Sequence, residues 1–367
     1  MEKNNAKHLG ILIVGMATVG VKTFPTIFTK FGGRDTWIAD IAAMVLLLAA
    51  VMYMVWVCKR FQQRNMFQIF QGAAGRVLGS AFFFVYLLTI LLTVMQSTAV
   101  EANVMHTAFL DQDPAWAFLL FSVLAGFYVV HKKTTAVTIT AMITLICISV
   151  SGTVLFLLTL KYKDFKYLFP MLEYGITPDL MISMVKLLGA YSSAAMILPF
   201  LGSLRNEKKM TKSILVGLLV TFEIQVVAMA GVLMTFNVER LQNLIYPKLT
   251  QTQLVSYFGF LEAGELFVML QIIAGWFVQY VLSFYALLQG ARQMNIKSPV
   301  LPYGVAALAF AAAYFASRNL FDMFQMLDAL MYVQLVGLLL IPLVIFVLYH
   351  VRQRRQGKAP PADAAAT

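Results

Sequence analysis

The stretch from Leu9 to Phe31 constrains the chain more than any other. It is apolar and long enough to cross a bilayer, which takes about 20 residues at ~1.5 Å each. It makes a poor anchor, however. Gly10, Gly15 and Gly20 punctuate it, and Pro25 removes a backbone donor near one end. Lys22 places a cation in its second half, at a cost of at least ~2.5 kcal/mol unless the charge is paired or watered. Broken backbone at membrane depth survives only where protein or a polar cavity satisfies it. The segment reads as a broken helix lining a site.

The rest of the chain fits a membrane setting. Hydrophobic residues make up 60%, charged residues only 12%, and mean hydropathy is +0.78. A soluble domain carries about 25% charged residues, so residues 1–355 read as one polytopic membrane domain. Residues 356–367, rich in Pro and Ala, read as a disordered cytoplasmic tail. The net charge of +11 does not point to nucleic acid, because the basic residues gather at segment ends, as topology requires. No removable leader is expected. Cys58 and Cys147 do not suggest a disulfide framework. His8, His106, His131 and His350 are scattered, so neither a metal site nor another cofactor is expected. The chain has no GxxxxGK[ST], HExxH or GxSxG pattern, and enzyme activity is not expected.

Ten spans are predicted, at 8–30, 35–58, 77–107, 114–131, 134–160, 179–202, 211–236, 263–291, 299–316 and 329–351. Lysines and arginines are denser on the side holding both termini. That side holds Lys59, Arg60, Arg64, Arg76, Lys132, Lys133, Arg205, Lys208, Lys209, Lys212, Arg292 and Lys297. The opposite loops are richer in acids such as Asp111, Asp113, Asp164, Glu173 and Glu239. Both termini are therefore predicted to be cytoplasmic. Residues 59–76 read as an amphipathic segment on the inner side. Residues 161–178 and 237–262 read as outer loops lying on the surface.

The second half repeats the first in outline, over about 8–160 and 179–351. The sixth span also carries a glycine break and a late proline, at Gly189 and Pro199. Five spans per repeat inverts the second half, and paired interrupted spans in inverted halves point to a transporter-type site near the repeat axis.

Charges inside the spans sharpen that site. Lys22 and Glu101 fall at similar depth in spans one and three. Lys186, Glu262 and Glu265 fall in the same half of the bundle, and Glu223 sits midway along span seven beside Gln225. An ionisable residue in the membrane is a functional-site candidate by default. Lys22 and Glu101 are expected to face each other or to share a ligand. Ser97 lies near Glu101, Gln271 and Gln279 recur on span eight, and Tyr191, Ser192 and Ser193 mark the span-six break. Gly20 and Gly189 open the two breaks, where exposed backbone amides can bind a carboxylate.

Several tracts carry a resemblance. Gly20 to Pro25 ends span one and is followed by Gly32 to Ile38, reading Gly-Gly-Arg-Asp-Thr-Trp-Ile. Phe169 to Ile176 precedes span six, and Ile197 to Leu201, with Pro199 inside it, closes that span. Tyr246-Pro247 precedes Phe260-Leu261-Glu262. In this order the tracts resemble the B subunits of spore germinant receptors, within the amino acid–polyamine–organocation transporter superfamily. The resemblance implies an all-α LeuT-like transporter fold of ten transmembrane helices in inverted five-helix repeats, with helices one and six broken. It implies a nutrient-sensing role in the inner membrane of a bacterial spore, with A-type and C-type subunits, a small nutrient and lipid as partners. The implied pocket lies among spans one, three, six and eight. Lys22 departs from the family's pattern, which is mostly apolar there. An active amino acid or amine permease of the same fold is the other reading.

Overall fold

The computed structural model describes residues 6–110, 112–132, 134–202, 204, 209–257, 261–262 and 264–356. Asp111, Lys133, Arg205, Lys208, the side chain of Glu262 and the tail from 357 onward lie outside the described residues.

The first segment is broken twice. Helix α1 (Leu9–Ala17) stops at Thr18, α2 (Gly20–Thr23) is a single turn, and α3 (Thr26–Gly32) restarts after Pro25. Helix α4 (Thr36–Arg60) follows. The predicted amphipathic segment is α5 (Met66–Ala74), begun by Asn65, whose Oδ1 accepts from the Gln68 amide at 3.2 Å, and ended by Gly75 at φ +87°. Next come α6 (Arg76–Val104), α7 (Ala115–His131) and α8 (Thr134–Thr159).

The corresponding segment of the second half runs without interruption over Pro178–Leu201, beginning at α9 (Pro178–Tyr191), with Thr177 Oγ1 accepting from the Leu180 amide and Pro178 pre-set for the first turn. It tightens to a 3-10 stretch over Ser192–Ile197 and resumes as α10 (Leu198–Leu201). Helix α11 (Met210–Leu233) leads into a connection containing α12 (Val238–Gln242), α13 (Pro247–Gln253) and a two-residue hairpin of β1 (Ser256–Tyr257) and β2 (Leu261–Glu262). Helices α14 (Glu265–Gln293), α15 (Leu301–Ala316), α16 (Leu320–Gln334) and α17 (Ile341–Arg355) complete the chain. A π-helical stretch, Leu335–Leu340, joins the last two.

Seven helical runs among the described residues are long and apolar enough to cross a membrane, and α7 and α15 are shorter apolar helices. Helix α14 is the hub, packing on α6, α8, α1 and α7. Its middle is buried on all sides, as for Trp276, Tyr280 and Phe284. Helix α1 packs on α11 and on Ser192–Ile197, which brings the two segments together.

Two expectations need correction. The last helical run begins at Leu320 rather than 329. Asn319 caps it, accepting from the Phe321 amide at 3.0 Å, and Asp322 and Asp328, outside the span expected at 329–351, lie on the helix. The connection at 237–262 is also not simply a surface loop. Leu249, Gln251 and Thr252 are buried, because α13 wedges against α14, α11, α2 and α8. Gln251 holds it there, donating to Gly231 O at 3.0 Å and to Thr235 Oγ1 at 2.5 Å.

Candidate functional site

A helix break frees carbonyls that must find donors inside the protein. At the first break, Gln225 Nε2 of α11 donates to Ala17 O at 2.8 Å, and the Thr18 hydroxyl folds back onto Val14 O. The Thr23 hydroxyl donates to Val19 O at 3.2 Å and accepts from Trp276 Nε1 at 3.1 Å. In the 3-10 stretch, Ser192 Oγ donates to Gly189 O at 2.6 Å and Ser193 Oγ to Ala190 O at 3.1 Å. The Tyr86 hydroxyl of α6 donates to Ala195 O at 3.1 Å. The serines of this stretch thus serve its backbone directly.

The two segments meet. A Cβ built on Gly20 would lie 3.9 Å from the Ala190 Cβ, an ordinary contact. Gly189 is different: its Cβ would fall 2.2 Å from Met331 O, so it is a packing glycine at a close approach. Gly10 and Gly15 are also packing positions, against Ser213 O and Leu282. Above the first break, Phe24 stacks into a cluster with Tyr246, Trp276 and Phe324, with ring centroids 5.0–6.5 Å apart.

Glu101 is buried on α6, and its Oε1 accepts from Ser122 Oγ of α7 at 2.8 Å. Among the described residues its Oε2 has no partner, nor has Oε1 of Gln279 on the neighbouring α14. Ser97 turns inward on its own helix, donating to Thr93 O at 2.7 Å. Tyr191 donates to Asp40 Oδ1 on α4 at 2.5 Å. Lys22 does not meet Glu101. It is half-buried and faces a different cavity, shared with Gln271. Lys186 is not a free cation either. It lies 2.5 Å from Asp328 Oδ1 on α16 and 3.8 Å from the Phe31 ring centre. Glu223 is exposed at a cavity rim rather than buried mid-span, and Glu265 accepts from Gln253 Nε2 at 2.8 Å.

Sequence reasoning passed over Asp40 and Asp328. Each is an acid in or beside an apolar run, as in Ile38-Ala39-Asp40-Ile41, and that isolation was the available signal. It also missed Gln334, which donates to Thr93 Oγ1 at 3.0 Å and Gln96 Oε1 at 2.6 Å, tying the last run to α6.

Comparison with known proteins agrees with this architecture. The chain resembles the substrate-bound, outward-open state of a Na+-coupled sialic acid symporter, with a TM-score of 0.61 over 92% of this chain and 79% of that one. Identity is 12%, so the likeness concerns the fold, a LeuT-like transporter fold. By sequence it is 22% identical to the spore germination protein YndE of Bacillus subtilis (strain 168) over 348 residues, 94% of this chain and 95% of that one. Residues 5–320 match the family described as Spore germination protein. With that match covering most of its length, this integral, multi-pass membrane protein belongs to the spore germination protein family.

Proposed function

We propose that the chain is the nutrient-sensing subunit of a germinant receptor in the spore inner membrane, with both termini on the core side. It binds a small nutrient, an amino acid or similar molecule, among the broken first segment, α6, the α9–α10 segment and α14. It passes its state to A-type and C-type subunits. The observation that carries this reading is the meeting of the first break with the second segment at Gly20 and Ala190, within a bundle that also buries acceptors with no partner among the described residues, Glu101 Oε2 and Gln279 Oε1. A nutrient ammonium suits such acceptors, and a carboxylate suits backbone amides at a half-helix end. The Phe24 cluster joins the first break to α14, α16 and the loop before α13. A ligand that prefers one arrangement of α2 would shift that whole cluster.

The test uses the chain co-expressed with its A-type and C-type subunits. Co-purification is expected, together with thermal stabilisation by at least one nutrient of a panel, abolished by Glu101→Gln. Uptake of that nutrient into vesicles by the isolated chain would instead establish a permease of the same fold.

A further inference from the structure

A second polar site has neither Glu101 nor Gln279 in its lining. Lys22 of α2, Lys163 of the loop after α8 and Lys248 of α13 are far apart in sequence, yet they line one cavity of about 360 Å3 beside α8 and α11. Gln271 of α14 lines it too, and Lys22, Lys248 and Gln271 continue into a narrow recess below. One carboxylate, Glu223 at the rim, offsets only part of the three positive charges.

The lysines have little else to satisfy them. Lys248 donates to the neutral Gln251 Oε1 at 2.7 Å, and Lys163 lies 3.9 Å from the Phe156 ring centre. Lys22 makes no hydrogen bond or ion pair with another described residue. Like charges drawn together out of bulk water repel, and the repulsion grows as the surroundings become less polar. Burial first, then the Lys163 and Lys22 charges, pull Lys248 down to about 7. Burial also lowers Lys163. Three lysines held together with a single carboxylate among the described lining residues mark a place for an anion.

We propose that this cavity binds a small anion bearing carboxylate or phosphate groups, held by the ammoniums of Lys22, Lys163 and Lys248 and the amide of Gln271. The cavity shares Lys22 and Gln271 with the residues considered for the nutrient, but the test below reads Lys163 and Lys248, whereas the nutrient reading is tested at Glu101. Val227 and Phe156 on the cavity wall are 44% and 40% exposed on the apolar flank of the bundle. The anion can therefore arrive as a free solute or as the head group of an anionic lipid.

Binding also takes up a proton. The charged groups on elements packed against α13 are Lys22, Lys212, Glu223, Glu265 and Arg292, with Lys163 beside them; Lys212 and Arg292 do not line the cavity, and Glu265 is already held by Gln253. An anion among the lysines favours the ammonium form of Lys248. Affinity is thus full below pH 7 and weakens above it, by up to about tenfold per pH unit.

The test is thermal unfolding of the full chain in phosphatidylcholine nanodiscs at fixed ionic strength, titrated with succinate or inorganic phosphate against chloride. A parallel series adds phosphatidylglycerol to the discs. A rise in Tm with succinate or phosphate supports a free anion, and a rise with phosphatidylglycerol alone supports a lipid head group. In either case the rise should shrink from pH 6.5 to pH 8.5 and be lost in Lys163→Gln and in Lys248→Gln. Lys163→Gln, in a half-exposed loop, should unfold unliganded at or slightly above the wild-type temperature, because it relieves repulsion with Lys248, so loss of response cannot be put down to misfolding. No rise with any of the three probes, or a rise unchanged in both variants, overturns the proposal.

Discussion

Lys22 of the first segment and Lys186 of the second are treated in opposite ways by the protein. Lys186 of the second is buried to 2% exposure, and it receives Asp328 and the face of Phe31. Lys22 of the first forms no ion pair with another described residue. It meets Lys248 and Lys163 across a cavity instead. The glycines differ in the same sense: Gly189 is pressed onto Met331 O, whereas Gly20 has room. The second segment is satisfied by the protein itself and acts as framework. The first keeps unmet chemistry, and unmet chemistry is where ligands go.

The largest expected effect breaks the framework side. In Gly189→Ala the new methyl meets a backbone oxygen at 2.2 Å, and backbone cannot swing aside. Overpacking usually costs ~1–3 kcal/mol, and this site should lie at or above the top of that range. Gly20→Ala meets only the Ala190 methyl at 3.9 Å and should stay within about 0.5 kcal/mol of wild type. Thermal unfolding of both variants in detergent checks the contrast; equal effects would remove it.

Asp328→Asn comes next. Breaking a fully buried pair on one side costs ~3–5 kcal/mol, because the other charge is stranded. Asp328 is 41% exposed, so water screens part of the loss. An effect of about 2 kcal/mol is expected after that discount. Lys186→Met should cost less, since the remaining aspartate can hydrate. If Lys186→Met proved the worse of the two, Lys186 would owe more to its place over Phe31 than to the ion pair.

Tyr191→Phe tests the tie between the second segment and α4. It removes the only partner the described residues give the fully buried Asp40, whose Oδ2 is already unpartnered. Stranding such an acceptor costs ~1–3 kcal/mol. The phenyl ring keeps the packing, so a loss of about 1 kcal/mol is expected by the same unfolding assay.

These contrasts also show what the sequence could reveal. The apolar runs, the irregularity of the first segment at Thr18 and Pro25 and the amphipathic α5 were legible, because membrane thickness and backbone satisfaction write themselves into local composition. The start of the last helical run was not, since Asp322 and Asp328 look like loop residues until Lys186 is known to await one of them. Asp40 was hidden for the same reason: its partner lies 151 positions away. The lysine cavity was least legible. Lys163 and Lys248 come from connections between spans, and α13 folds inward only because Gln251 finds Gly231 and Thr235. Spacing along the chain carries none of that.

The smallest expected effect concerns Lys22 and Glu101, which matched depth along spans one and three had set together. Depth along a helix fixes height but not the direction of a side chain. Helix α6 turns Glu101 toward Ser122 on α7, while α2 turns Lys22 toward α13 and the loop lysine. The two groups therefore share no partner. In a double-mutant cycle of Lys22→Met and Glu101→Gln, read by thermal unfolding without ligand, the effects should add to within about 0.3–0.5 kcal/mol. Lys22→Met by itself should be neutral or mildly stabilising below pH 7, where it relieves repulsion with Lys248. That gain should fade as pH rises past about 7 and Lys248 loses its charge. A coupling energy clearly above that limit would mean that the first break brings the two charges together in another conformation. The contrast between a framework lysine and a site lysine would then have to be redrawn around Glu101.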